Sequence, residues 1–249
     1  MTTPLPPPAI CRGGAPWNVF GVSNPERMTS TAEHLEFRYV PRAFGLDSGA
    51  ALRAAPAGLP ADRATLAYEV FFPADFDFVK GGKLPGFMLG VDPTDGASGG
   101  KWDPSQGSFR LMFREGGKAI GYAYLAVRGG NEGAYRAQGP AYRAAVDASK
   151  GDTGHDMWYK KQGGMTLRAG RWNAVRMSLK LNAPGRADGS ARVTVNGVTR
   201  SVDGVVWRQS AAVRVQSVAL VSFFGGGSLE WATPKRTFAR LRALAVSID

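Results

Sequence analysis

Residues 107–127 read GSFRLMFREGGKAIGYAYLAV, and the alternation within them decides the fold class. In the first arm Phe109, Leu111 and Phe113 fall on one side and Ser108, Arg110, Met112 and Arg114 on the other, the period of two that belongs to a strand. In the second arm Tyr122 and Tyr124 stand opposite Ala123 and Leu125. Glu115, Gly116 and Gly117 between the arms suit a tight connection. The stretch therefore predicts a β-hairpin whose apolar back lies on a core and whose polar front faces a groove.

The same pattern spreads in both directions. Upstream, residues 65–72 (TLAYEVFF) put Leu66, Tyr68, Val70 and Phe72 on one face, and residues 34–40 (HLEFRYV) do so with Leu35, Phe37 and Tyr39. Gly81 and Gly82 before Lys83, with Pro85 and Gly86 after it, predict a turn that holds the lysine. Residues 92–107 (DPTDGASGGKWDPSQG) predict a long loop, and loops of that length often carry function. The Ala-rich residues 44–64 predict at most a turn of helix, cut short by Pro56 and Pro60.

Downstream, residues 129–170 read as long loops with one strand near 157–161 (MWYKK). Residues 170–182 (GRWNAVRMSLKLN) form a strand that ends in Asn182, read as a turn residue. Residues 189–202 (GSARVTVNGVTRSV) form a hairpin on Asn196-Gly197, a strong two-residue turn signal. Strand-rich text over 213–227 (VRVQSVALVSFFGGG) and 237–249 (TFARLRALAVSID) completes the chain, and Gly225 to Gly227 read as a tight turn before Trp231. With 33 glycines and 16 prolines placed between short apolar runs, this is an all-β protein, an antiparallel β-sandwich. Its domain runs from 31 to 249, behind a Pro/Gly-rich extension over 1–30 that Trp17, Val19 and Phe20 pin to the body.

The formal charge of +11 points to a polyanionic partner. Lys and Arg are dispersed rather than run together, and no nucleic-acid motif is visible, so nucleic acid is not expected. Cys11 is the only cysteine and His34 and His155 the only histidines, which excludes an internal disulfide and predicts no metal and no cofactor. The N-terminus MTTPLPPPAI lacks the basic and apolar regions of a secretory signal, and no run is long enough to span a bilayer. The expectation is a soluble chain with no membrane association; its location is otherwise open.

The polar front suits one chemistry in particular. Cleaving a uronate polymer by elimination requires a cation to neutralise the sugar carboxylate, a base to take the C5 proton and an acid to protonate the leaving oxygen. Arg110 and Lys83 offer charge, Ser108 can orient substrate, and Tyr122 and Tyr124 offer phenols whose pKa a cationic field would lower. Taken singly, each of these is also an ordinary surface or strand residue.

At these residues the sequence resembles polysaccharide lyase family 14, which includes alginate lyases and lyases of glucuronate polymers, and more distantly the fungal glucuronan lyases. The shared text is GGKLPG at 81–86, the Ser108-x-Arg110 pair followed by MFRE at 112–115, Tyr122-x-Tyr124, GRWN at 170–173 with KLN at 180–182, DGSARVTVNG at 188–197 and SFFGGGSLEWATP at 222–234. The resemblance spans roughly 62–248 and keeps the family's order. It implies a jelly roll whose concave sheet binds the polymer. The implied active site has Lys83, Tyr122 and Tyr124 in proton transfer and Ser108 and Arg110 as substrate ligands, the allocation of base and acid staying open. The implied substrate is an acidic polysaccharide, glucuronan or alginate-like. The competing expectation is a non-catalytic carbohydrate-binding or structural jelly roll, as on a virion or cell surface. Leaderless secretion or packaging in a virus particle would reconcile the missing signal with an extracellular polymer.

Overall fold

The computed structural model describes residues 11–12, 17–100, 102–147, 154–160 and 163–248. The first strands are β1 (Cys11–Arg12), β2 (Asn18–Ser23), β3 (Met28–Ser30), β4 (Leu35–Tyr39), β5 (Ala50–Ala55) and β6 (Arg63–Phe71). Next come β7 (Gly81–Gly90), β8 (Gly107–Arg114) and β9 (Ala119–Tyr124), followed by the helices α1 (Gly130–Arg136) and α2 (Pro140–Ala145). Strands β10 (Val146–Asp147) and β11 (His155–Met157) precede β12 (Trp172–Lys180), β13 (Gly189–Val195), β14 (Val198–Val205), β15 (Arg214–Phe224) and β16 (Thr237–Ser247).

Among the described residues these strands make two eight-stranded sheets. The first has the order β14-β13-β12-β6-β16-β4-β3, with β1 beside β16, and the second the order β10-β11-β9-β8-β7-β15-β5-β2. All pairings are antiparallel except β1 with β16. This is the β-sandwich of jelly-roll type that the sequence predicts. Its core forms where the apolar faces meet: Leu66, Tyr68 and Val70 of β6 from one sheet, Phe109, Leu111 and Phe113 of β8 from the other, all at most 2% exposed. Phe113 sits in an aromatic cluster, with ring centroids 5.7 Å from Phe72, 5.9 Å from Phe76 and 5.5 Å from Phe224.

Asn196 and Gly197 both have positive φ (49° and 85°), the backbone of the primed turn that joins β13 to β14. Asn182 is more than a turn residue. Fully buried, its side chain donates to the carbonyls of Ala183, Arg186 and Arg208 and accepts from the amides of Trp207 and Arg208, tying together two stretches of irregular backbone.

Several expectations need correction. The Ala-rich stretch is strand β5, because Ala50, Leu52 and Ala54 alternate into the core and sheet pairing with β15 and β2 outweighs the helix propensity of alanine. Within 129–147 the chain makes α1 and α2 rather than loop alone, and β11 ends at Met157, where Trp158 turns to φ 65°. Of the N-terminal extension, residues 1–10 and 13–16 lie outside the described residues. From Asn18 the chain is already in the sheets, β2 on β5 and β3 on β4.

Lys83 is not in a turn. It lies in β7, a strand flanked on both sides by β8 and β15. Pro85, which cannot donate to a ladder and is normally confined to edges or bulges, sits at one: between the pairs Lys83–Met112 and Gly86–Arg110, Leu84 and Pro85 on β7 face Leu111 alone on β8. Among the described residues no helix is long and apolar enough to cross a membrane.

Candidate active site

β7, β8 and β9 are adjacent in the second sheet, and their register assembles the site. Ser108 lies directly opposite Tyr124, Arg110 opposite Tyr122, and Lys83 opposite Met112. Because Phe109, Leu111 and Phe113 take the core face, period two sends Ser108, Arg110, Met112 and Arg114 to the other. On β7 the extra residue at the bulge does the same for Lys83: Leu84 and Phe87 both enter the core, while Lys83 and Met88 stay on the site face. Lys83, Ser108, Arg110, Tyr122 and Tyr124 thus share one surface.

The lysine Nζ lies 4.9 Å from the ring centroid of Tyr122, 5.6 Å from that of Tyr124 and 6.0 Å from that of Phe223. The two phenol oxygens are 3.5 Å apart. Each phenol also accepts from a glycine amide on a different loop, Tyr122 from Gly154 at 2.8 Å and Tyr124 from Gly100 at 3.0 Å.

The front of the hairpin is not open, contrary to the sequence expectation. Lys83 and Tyr122 are 7% exposed, Arg110 and Tyr124 2%, and Ser108 fully buried. Polar groups can be buried this deeply because backbone from distant loops meets them. The Ala97 carbonyl accepts from Ser108 Oγ at 2.9 Å and from the Arg110 guanidinium at 3.3 Å, and Ser98 Oγ accepts from Arg110 at 3.3 Å. Arg110 Nε, also buried, has no partner.

Burial sets the electrostatics. It pulls the Lys83 pKa well below the ordinary lysine value, and the nearby Arg110 and Arg114 cations add to the effect, with Asp156 opposing. The Tyr122 phenol is pushed above its usual 10 by burial first and by Tyr124 second. The expectation that a cationic field lowers this phenol's pKa is therefore overturned: desolvation of the phenolate outweighs it. Burial also lowers Arg110, with the facing phenols in opposition.

The structure adds neighbours that sequence spacing did not single out. Arg114, next on the polar face of β8, pairs with Asp156 of β11 at 2.5 Å and lies 5.5 Å from the Trp231 ring and 5.9 Å from those of Tyr122 and Tyr159. The alternation of β8 pointed to Arg114; nothing local linked it to Asp156 or Trp231. Gly226 packs directly on Trp231, so the Gly225–Gly227 run delimits this side of the site. His155 lies elsewhere. Fully buried, it bonds Tyr142 Oη through Nδ1 and the Asn131 carbonyl through Nε2, both at 2.8 Å, and burial lowers its pKa. Among the described residues no group of three or more His, Cys, Asp or Glu side chains is placed to hold a metal ion.

The chain as a whole is similar in sequence and fold to known proteins. The sequence profile of polysaccharide lyase 14 matches residues 29–244. The fold superposes on the marine PL-14 alginate lyase of Aplysia kurodai with a TM-score of 0.77 at 22% identity, covering 93% of this chain and 90% of that one. It superposes on the alginate lyase vAL-1 from Chlorella virus with a TM-score of 0.74 at 25% identity, covering 94% and 93%. Exolysin of Paramecium bursaria Chlorella virus 1 is 27% identical over 182 residues, 68% of this chain but 27% of that protein. The chain thus spans about a quarter of the length of that curated relative.

Proposed function

The chain belongs to the polysaccharide lyase 14 family, and on that premise we propose that it cleaves an acidic, uronate-containing polysaccharide of the alginate or glucuronan kind by β-elimination. The observation that carries the reading is a buried lysine with a depressed pKa beside two phenols and an arginine on one sheet face. A lysine acts as a base only when neutral, and burial among cations favours the neutral amine.

In the proposed reaction Arg110 holds the sugar carboxylate, which stabilises the negative charge that develops as the C5 proton leaves. Its unpartnered Nε is a donor available for this. Lys83 takes the C5 proton, the electrons of that bond form the C4–C5 double bond, and the bond from C4 to the glycosidic oxygen breaks. The leaving oxygen receives a proton from the Tyr122–Tyr124 pair, the raised pKa of Tyr122 keeping a proton available there. Ser108 orients the sugar. Substrate must displace the Ala97 carbonyl from Arg110, and the positive-φ glycines Gly96, Gly99 and Gly100 give that loop backbone freedom.

The test is incubation with alginate and with polyglucuronate while following ultraviolet absorbance of the 4,5-unsaturated ends. Absorbance that grows with time and disappears in Lys83→Met supports the reading; no absorbance on either polymer overturns it. One observation favours a second reading, a non-catalytic carbohydrate-binding jelly roll: Ser108 and the terminal nitrogens of Arg110 already bond the protein's own loop. That reading predicts polymer binding without absorbance.

A further inference from the structure

We propose that the outward face of the first sheet, on the far side of the sandwich from Lys83, is a second binding surface for an anionic polysaccharide chain. The core takes Ala64, Leu66, Tyr68 and Val70 of β6 and Val175, Met177 and Leu179 of β12. Alternation then turns Arg63, Arg176 and Lys180 outward, and Arg192 stands outward between buried Ala191 and Val193.

The register orders these cations into a stripe. Arg63 lies opposite Lys180; two residues on, Ser178 lies opposite Arg192; two further, Arg176 lies opposite Ala67. The next rows pair Glu69 with Arg242 and Phe71 with Arg240. Every outward row from Arg63 to Phe71 therefore carries a cation. At about 3.4 Å per residue the rows are about 6.8 Å apart and the stripe runs about 27 Å along β6.

The stripe has a paired end and an unpaired one. Arg242 and Arg240 bond Glu69 and Glu36 at 2.6 and 2.8 Å. They also lie 4.0 Å over Trp172 and 4.4 Å over Phe238. Phe71 is 5.5 Å from Trp172 and 6.4 Å from Phe238, giving an apolar shelf of the kind on which the C–H faces of sugar rings pack. Arg63, Arg176, Lys180 and Arg192 make no ion pair among the described residues. Asp203 faces Ser190 at the β14 edge of the Lys180 row. Charge complementarity thus favours a polyanion.

The spacing decides which polyanion. Duplex DNA carries a charge every ~1.7 Å of its axis, about four for each ~6.8 Å row of the stripe. One cation row every ~6.8 Å beside an aromatic shelf fits a polymer with one carboxylate per sugar. The choice of a uronate polymer rests on the proposed function; the stripe does not. Holding polymer here would raise its effective concentration at the site on the other sheet.

The test uses affinity electrophoresis of the full chain in gels containing alginate, polyglucuronate or neutral dextran, with Lys83→Met throughout to prevent cleavage. Arg63→Gln/Arg176→Gln/Arg192→Gln should lose most of the retardation by the acidic polymers. In the Lys83 background it should cleave a tetrasaccharide at the original rate and dilute polymer several-fold more slowly. The control Arg128→Gln/Arg136→Gln/Arg168→Gln, with the same loss of charge elsewhere, should keep its retardation. Unchanged retardation of the stripe variant, an equal loss in the control, or stronger stripe-dependent retardation by DNA would each overturn the inference. If neither polymer is cleaved but retardation depends on the stripe, the proposed activity fails and the binding face stands; cleavage with stripe-independent retardation means the reverse.

Discussion

Lys83 sets function against stability in a single side chain. Because its native pKa is depressed, the unfolded chain binds more protons than the native one between that depressed value and the ordinary 10.5. Stability therefore rises with pH across this window, and below it the full cost of burying the ammonium is present. Lys83→Met should abolish turnover, a loss on the order of 10²–10⁴-fold or more for a proton-transfer group. It should also raise the thermal midpoint, by about 2–4 °C for each kcal/mol relieved, with the gain largest at low pH and vanishing near pH 10.5. Calorimetry across pH checks the second effect; a lowered midpoint at all pH values would contradict it. The wild-type kcat/KM should climb as pH passes through the lowered lysine pKa. It should not fall on the alkaline side until above pH 10, since the Tyr122 phenol is raised. Tyr122→Phe and Tyr124→Phe should each slow turnover by roughly 10²–10⁴-fold, seen as kcat in initial-rate assays, and Arg110→Gln should raise KM as well.

At the scale of elements, β7 and β8 approach so closely that a methyl group has no room. A Cβ on Gly86 would meet the Phe109 carbonyl oxygen at 2.2 Å and Arg110 Cα at 2.5 Å. Gly86→Ala should destabilise by about 3 kcal/mol or more, at or above the top of the usual range for point substitutions, read from the urea midpoint, and it should displace Arg110, its partner in register. Elements also show what sequence could and could not convey. The grouping of Ser108, Arg110, Tyr122 and Tyr124 was legible because period two in a strand fixes sidedness without knowledge of the partner strand. The strand character of β7 was hidden: Gly81, Gly82, Pro85 and Gly86 are read locally as turn chemistry, and only pairing on both sides makes that segment a strand. The covering of the polar front was equally hidden, since Ala97, Gly100 and Gly154 reach it through hydrogen bonds that leave no periodic trace.

At the scale of the whole molecule, sandwich and core followed from many short alternating runs, and the distribution of charge between the two outer faces needed the register. A net charge of +11 should make reaction on long polymer sensitive to salt, because the Debye length falls from about 10 Å at 0.1 M to 3 Å at 1 M. KM for polymer should therefore rise steeply with sodium chloride while KM for a tetrasaccharide changes less; equal slopes would show that only the groove senses the polymer. The bulge in β7 has a consequence for how the gene can vary. Lys83 and Phe87 stand four positions apart, a separation that regular alternation would put on one face, so ironing out the bulge without losing a residue would rotate either the amine into the core or Phe87 and Leu89 out of it. Losing the extra residue together with the bulge would keep both side chains on their present faces, so across these few codons the shape of the strand and its residue count can change only as a pair.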